Sequence, residues 1–166
     1  MNMKICVNAV MALVLLLGSF SVAAAEIHDA AALGDLKQGK GVFLVDIAEP
    51  GKLAFYLKAI EGTYQGMKAQ GVTPDFILVY IGPSVKYLST KPDEDLVFEH
   101  HDALQSIAES VAALDELGVR QEICAVATRA FAIDDEALLP ALTLVGDGFI
   151  SLIGWQSQGY HLVPVF

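Results

Sequence analysis

Five apolar-rich runs, at residues 42–47, 76–81, 119–126, 142–145 and 160–165, alternate with stretches whose apolar residues recur at helical spacing. That alternation limits what the chain can fold into more than any other feature. A strand wetted on one face alternates apolar and polar residues, whereas one covered on both faces stays apolar along its length. Strand–helix–strand order with buried strands implies a parallel sheet with helices packed against both faces. The expected fold class is therefore α/β, a three-layer α/β/α domain with a mostly parallel five-stranded sheet, flavodoxin-like in outline.

The intervening segments support this reading. After Glu49-Pro50-Gly51 breaks the first run, Leu53, Leu57, Ile60, Tyr64 and Met67 form one helical face, ended by Gly71. Gly82-Pro83 closes the second run and predicts a short helix as far as Leu88, with proline in its first turn. Residues 89–99, with Lys91-Pro92-Asp93-Glu94-Asp95, read as an exposed loop, and Asp102 as the cap of a helix. The inner face of that helix is Leu104, Ile107, Val111, Leu114 and Leu117, and Gly118 stops it. Residues 129–139 read as a turn with a short helix. Gly146-Asp147-Gly148 leads into a helix over 149–158, with Asp147 as its cap and Gly159 at its end.

The first 25 residues read as a secretory leader. Lys4 gives a positive start, 5–20 is apolar, and Ser21-Val22-Ala23-Ala24-Ala25 offers a cleavage site before Glu26. The expected organisation is a signal peptide over 1–25, a lead-in over 26–41 and one domain over 42–166, periplasmic or secreted, with no membrane partner after cleavage. The whole chain carries 10 bases and 20 acids, a net charge of −10, and cleavage would remove Lys4 and no acid. Such a potential repels phosphate backbones and anionic surfaces and argues against nucleic-acid partners.

Cleavage would also remove Cys6, leaving Cys124 as the only cysteine. In an oxidising compartment an unpaired cysteine is a free thiol, a mixed disulfide or a bridge to another chain. The alternative is a small hydrophobe buried on its strand. In a parallel α/β sheet the loops after the strand ends gather at one edge, where ligands bind. That edge collects Glu49, Gly82-Pro83-Ser84, Cys124 with its turn, and Gly146-Asp147-Gly148. A reactive thiol needs its anion favoured by a cation or a helix N-terminus. Arg129 is the first candidate cation, with a surface ion pair to Asp134 or Asp135 as its alternative. Lys86 is the second, with a solvated side chain as its alternative. Cys124 is thus the candidate catalytic residue, and Arg129, Lys86, Ser84 and Gly148 are the candidate substrate-binding residues.

Other chemistries fit poorly. The loop Gly146-Asp147-Gly148-Phe149-Ile150-Ser151 lacks the last glycine of a dinucleotide loop and follows the fourth strand, so no cofactor is expected. His100 and His101 are adjacent, and His28 and His161 lie in unrelated segments, so no metal site is expected. Phe149 and Trp155 read as core or subunit-interface residues.

Several segments resemble, in order and spacing, those of the DsrE/DsrF-like family of sulfur-relay proteins. They are Gly82-Pro83-Ser84-Val85-Lys86-Tyr87-Leu88, Leu117-Gly118-Val119 leading to Glu122-Ile123-Cys124, Leu138-Leu139-Pro140, and Leu152-Ile153-Gly154-Trp155-Gln156-Ser157-Gln158-Gly159-Tyr160. The resemblance spans roughly residues 42–166. It implies a DsrE-like domain in which Cys124 carries a persulfide and passes sulfur between donor and acceptor proteins, as a sulfurtransferase or sulfur carrier. It also implies a homo-oligomer, trimer or hexamer. The chain departs from the sulfur-transferring members in its leader and in Ala130-Phe131-Ala132, which replaces a more basic stretch. The competing expectation is a binding or assembly module that keeps the fold around a structural, buried cysteine.

Overall fold

A computed structural model describes residues 27–166; the leader assigned to 1–25 lies outside the described residues. Five strands form one sheet: β1 Gln38–Val45, β2 Thr73–Tyr80, β3 Arg120–Cys124, β4 Thr143–Val145 and β5 His161–Val165. Their order is β4-β3-β2-β1-β5, and every neighbouring pair is parallel. The helices are α1 Ala30–Leu33, α2 Pro50–Ala69, α3 Glu94–Glu116, α4 Ala125–Ala130 and α5 Gly148–Ser157. Among the described residues, no helix is long and apolar enough to cross a membrane.

Adjacent residues of a strand point to opposite faces, and β3 shows which helix lies where. Gln121 donates to the Val111 carbonyl on α3, whereas Glu122 accepts from Ser151 and Trp155 on α5. So α3 lies on one face, with α2 packed beside it, and α5 lies on the other. The core holds Leu53, Leu57 and Ile60 of α2 and Ile107, Val111 and Leu114 of α3, packed with the buried residues of β1 and β2. The Tyr64 hydroxyl of α2 donates to the Leu117 carbonyl at 2.9 Å, tying the two long helices together.

The predicted helical faces are the ones that pack inward, but several boundaries move. The first strand starts at Gln38, inside the expected lead-in, because Gly39 and Gly41 pair with Pro74 and Phe76 on β2. Main-chain pairing needs no apolar side chain, so these glycines hid the strand. The segment 89–99 is not all loop, and Asp102 does not cap the helix. α3 starts at Glu94, capped by Asp93, which accepts from the Asp95 N–H at 2.9 Å. Acidic residues after a proline suit a helix start, since they complement the partial positive charge of the N-terminal turn. A break in helical geometry at His100 divides this exposed first part from the buried remainder. The third strand ends at Cys124, and α4 follows at once.

Candidate functional site

Cys124 is the last residue of β3 and the N-cap position of α4, with extended backbone angles. It pairs with Val145 at the end of β4, and the loop beyond Val145 brings the start of α5 over the sulfur. Asp147 caps α5 as expected, its carboxylate accepting from the Phe149 N–H at 2.8 Å. The cap orients the first turn so that the Gly148 N–H donates to Cys124 Sγ at 3.1 Å. Glycine is required there by space. A Cβ at Gly148 would lie 2.6 Å from Ile81 Cγ2 and 3.1 Å from Cys124 Cβ. The thiol is a free cysteine and is only 5% exposed. The first turn of α5 thus aims a backbone N–H at the sulfur, and such donors bind a charged acceptor roughly twice as strongly as a neutral one.

The other predicted site residues divide. Gly148 is at the sulfur, and it contributes its main chain. Arg129 lies exposed in the last turn of α4. Among the described residues it makes no ion pair, and its two expected partners are engaged elsewhere. Asp135 accepts from the Thr128 hydroxyl at 2.7 Å, and Asp134 accepts from the Glu136 N–H at 3.0 Å. Lys86 is not a free solvated side chain. Its ammonium lies 5.4 Å from the Tyr87 ring centre and 5.8 Å from that of Phe131. It lines a groove of about 540 Å³ with Pro92, Leu96 and Ile133, and Cys124 is not part of that lining. Ser84 is fully enclosed, and its hydroxyl donates to the carbonyls of Val45 at 3.1 Å and Ile81 at 2.5 Å. It ties the turn to the ends of two strands, with its hydroxyl turned inward and away from the surface.

Sequence reasoning missed Glu122. It shares a strand face with Cys124, two residues away, and is 4% exposed. Both carboxylate oxygens accept from the Trp155 indole N–H, at 3.2 and 3.1 Å, and Oε2 also accepts from the Ser151 hydroxyl. Trp155, predicted to be core or interface, packs partly buried against the core and is also a hydrogen-bond donor here. Its ring also meets Tyr160 edge-on, with centroids 5.3 Å apart, and stacks under the Arg120 guanidinium. Glu122, Asp147, Ser151 and Trp155 border a groove of about 570 Å³ beside α5. The available signal was a carboxylate within a buried strand, since glutamate is almost never fully buried unless paired. Among the described residues, no three His, Cys, Asp or Glu side chains form a group that could hold a metal ion.

The sequence matches the DsrE/DsrF-like family over residues 40–165. No curated protein sequence matches it. Among solved structures, it is similar to a protein of unknown function, MTH1491, from Methanobacterium thermoautotrophicum. That similarity has a TM-score of 0.58 and 17% identity, covering 77% of this chain and 98% of the other. It is also similar to the ychN protein from E. coli, with a TM-score of 0.54 and 17% identity, covering 79% of this chain and 99% of the other. At these identities the structural likeness speaks for the fold alone, a parallel five-stranded sheet with helices on both sides. The family match spans most of the chain and reaches all five strands, and on that ground the chain belongs to the DsrE/DsrF-like family.

Proposed function

We propose that this protein is an exported sulfur carrier in which Cys124 accepts sulfane sulfur as a persulfide and hands it to a partner protein. The observation that carries the proposal is the Gly148 N–H on Cys124 Sγ at the strand-end edge of the sheet. The Cys124 thiolate attacks the terminal sulfur of a donor persulfide. A new S–S bond forms, the donor's S–S bond breaks, and the donor leaves as a thiolate with the bonding electron pair. Delivery repeats the exchange with an acceptor thiolate, which regenerates Cys124. Each step conserves electrons, so no cofactor is required. Incubation with polysulfide followed by intact mass spectrometry is expected to show the gain of a sulfur atom that Cys124→Ser does not show. An equal gain in the serine variant, or none in the wild type, overturns the proposal.

The same reading places the mature chain, beginning near Glu26, in the periplasm or outside the cell. Recovery of the full-length chain from the cytoplasm alone would refute that part. It also makes the protein a homo-oligomer. Support comes from large apolar side chains that face outward, with Phe149, Ile150 and Ile153 on α5 exposed by 62, 69 and 65%. Leu162 and Val163 on edge strand β5 and Phe166 beyond it are exposed as well. Contiguous exposed apolar surface marks an interface. Sedimentation is expected to give a trimer or hexamer, and Ile150→Asp with Ile153→Asp is expected to lower that mass.

The burial of Cys124 favours a second reading, a binding module with a structural thiol. Native-state maleimide labelling separates the two. Modification without unfolding supports the carrier, and modification only after unfolding supports the module.

A further inference from the structure

We infer that Glu122 is a positioning and tuning residue for the Cys124 thiol, acting through the seating of α5; the inference rests on Cys124 being the working group proposed above.

Gly148, Ser151 and Trp155 occupy positions i, i+3 and i+7 of α5 and so form one stripe along the helix. That stripe faces β3, with Gly148 over Cys124 and the other two over Glu122. The helix therefore runs against the direction of the strand, and one strand face receives three side-by-side attachments. Within one subunit, few large apolar side chains hold α5 to the sheet. Leu152 is its one buried large apolar residue, while Phe149, Ile150 and Ile153 face away from the sheet. A helix seated by so little apolar burial depends on its polar anchor, and hydrogen bonds to a charged group are stronger than those between neutral groups. Glu122 is that anchor. Holding Ser151 and Trp155 fixes the height and rotation of α5, and these set whether the Gly148 N–H meets the sulfur.

The carboxylate has a second, opposing effect. It is a negative charge two residues from the thiol on the same face, and like charge disfavours a thiolate. The other charged groups at this edge are Asp46, which lies against Gly82, Glu49 at the start of α2, and Lys86, whose ammonium lies over the Tyr87 and Phe131 rings. α5 and β4 carry none, Asp147 sits at the α5 cap with its carboxylate turned to the Phe149 N–H, Arg129 is exposed at the end of α4, and Arg120 lies over Trp155. The Trp155 and Ser151 donors spread the charge of Glu122 away from Cys124. The anchoring and the damping of that charge thus come from the same bonds.

Ultraviolet absorbance of the thiolate, followed against pH with Cys124→Ser as background, reads this without requiring reagent access to the buried sulfur. Glu122→Gln keeps an acceptor for both donors and removes the charge, so the profile is expected to move to lower pH. Ser151→Ala and Trp155→Phe keep the charge and remove donors. Each is expected to move the profile to higher pH, and the pair together to move it furthest. A purely structural contribution would shift all these variants the same way or leave them unmoved, and either result overturns the inference. The outcome is separable from the carrier proposal. Opposite shifts with no sulfur uptake by mass spectrometry would retain Glu122 in this role and dismiss persulfide transfer. Sulfur uptake with unmoved profiles would do the reverse.

Discussion

Gln121 and Glu122 are neighbours on β3 and almost equally buried, yet they look into different parts of the molecule. Gln121 points under α3, on the face where α2 and α3 together lay 20 and 23 residues of helix over the sheet. It accepts from the Tyr80 hydroxyl at 2.8 Å and donates to the Val111 carbonyl at 2.8 Å. Glu122 points under α5, a helix of 10 residues with a groove at its side. A neutral amide can be sealed in for the cost of matching its hydrogen bonds, whereas a carboxylate needs charge-assisted donors and water close by. The sheet thus has a closed face, where polar groups complete the packing, and a thinly covered face, where the carboxylate and the thiol sit together. Within one subunit, less apolar burial opposes local opening on the second face than on the first.

The largest test of this contrast truncates equivalent residues on the two faces. Leu114→Ala on α3 is expected to cost about 3–5 kcal/mol by denaturant unfolding, since the surrounding helices and strands cannot collapse into the cavity. Leu152→Ala on α5 is expected to cost nearer 2 kcal/mol, because the short helix can settle inward. Equal losses would remove the mechanical distinction between the faces. Next in size is Gln121→Leu, which strands the Tyr80 hydroxyl in the core and is expected to cost about 1–3 kcal/mol. Adding Tyr80→Phe should return much of that loss, because removing both partners of a buried hydrogen bond leaves no unmet group. A double variant no more stable than Gln121→Leu would show that packing, and not pairing, dominates at this position.

The closed face also predicts an alkaline weakness. Burial pushes the Tyr80 phenol well above its ordinary value, so the folded chain holds this proton at a pH where the unfolded chain gives it up. Stability from this group is complete below the unfolded phenol pKa, about 10, and falls as pH rises beyond it. Tyr160 adds in the same direction. Burial acts first, then its hydrogen bond to Asp75 and the Asp75 charge, against a smaller opposite pull from Arg120. Unfolding midpoints measured upward from neutral pH should therefore decline more steeply in the wild type than in Tyr80→Phe. Parallel declines would place the alkaline loss elsewhere.

The closed face was also the legible one. Leu53, Leu57, Ile60, Ile107, Val111 and Leu114 announce themselves by spacing, and strands apolar on both sides imply the layering that β1 and β2 display. Cys124 was found because it stands alone at a strand end, and Asp147 because capping has a local signature. The remainder of the site was hidden for three physical reasons. Ser84 sits in a turn at the correct edge, but hydrogen bonding to two carbonyls turns its hydroxyl inward, and spacing does not encode that rotation. Lys86 is drawn to the Tyr87 and Phe131 rings, a contact between residues 45 positions apart in the second case. Glu122 depends on α5 arriving from beyond β4 with Ser151 and Trp155 in register, which is a tertiary fact. The expected α3 cap was displaced from Asp102 to Asp93 because a run of charge resembles a loop until the proline before it is read as a helix start.

The smallest expected effect concerns Arg129, the first cation proposed for Cys124. Its guanidinium is solvent-exposed and makes no ion pair among the described residues, so water and salt screen most of its field at the sulfur. Gly148 supplies an oriented N–H inside the protein, where the effective dielectric is lower and the geometry is fixed by α5. Arg129→Ala should accordingly leave the unfolding midpoint within experimental scatter and barely move the pH profile of the thiolate absorbance. Any small shift should vanish on raising the salt concentration, as a screened surface charge requires. A large, salt-insensitive shift would instead mean that Arg129 folds back over the sulfur, and the thinly covered face would owe its chemistry to a side chain and not to the start of α5.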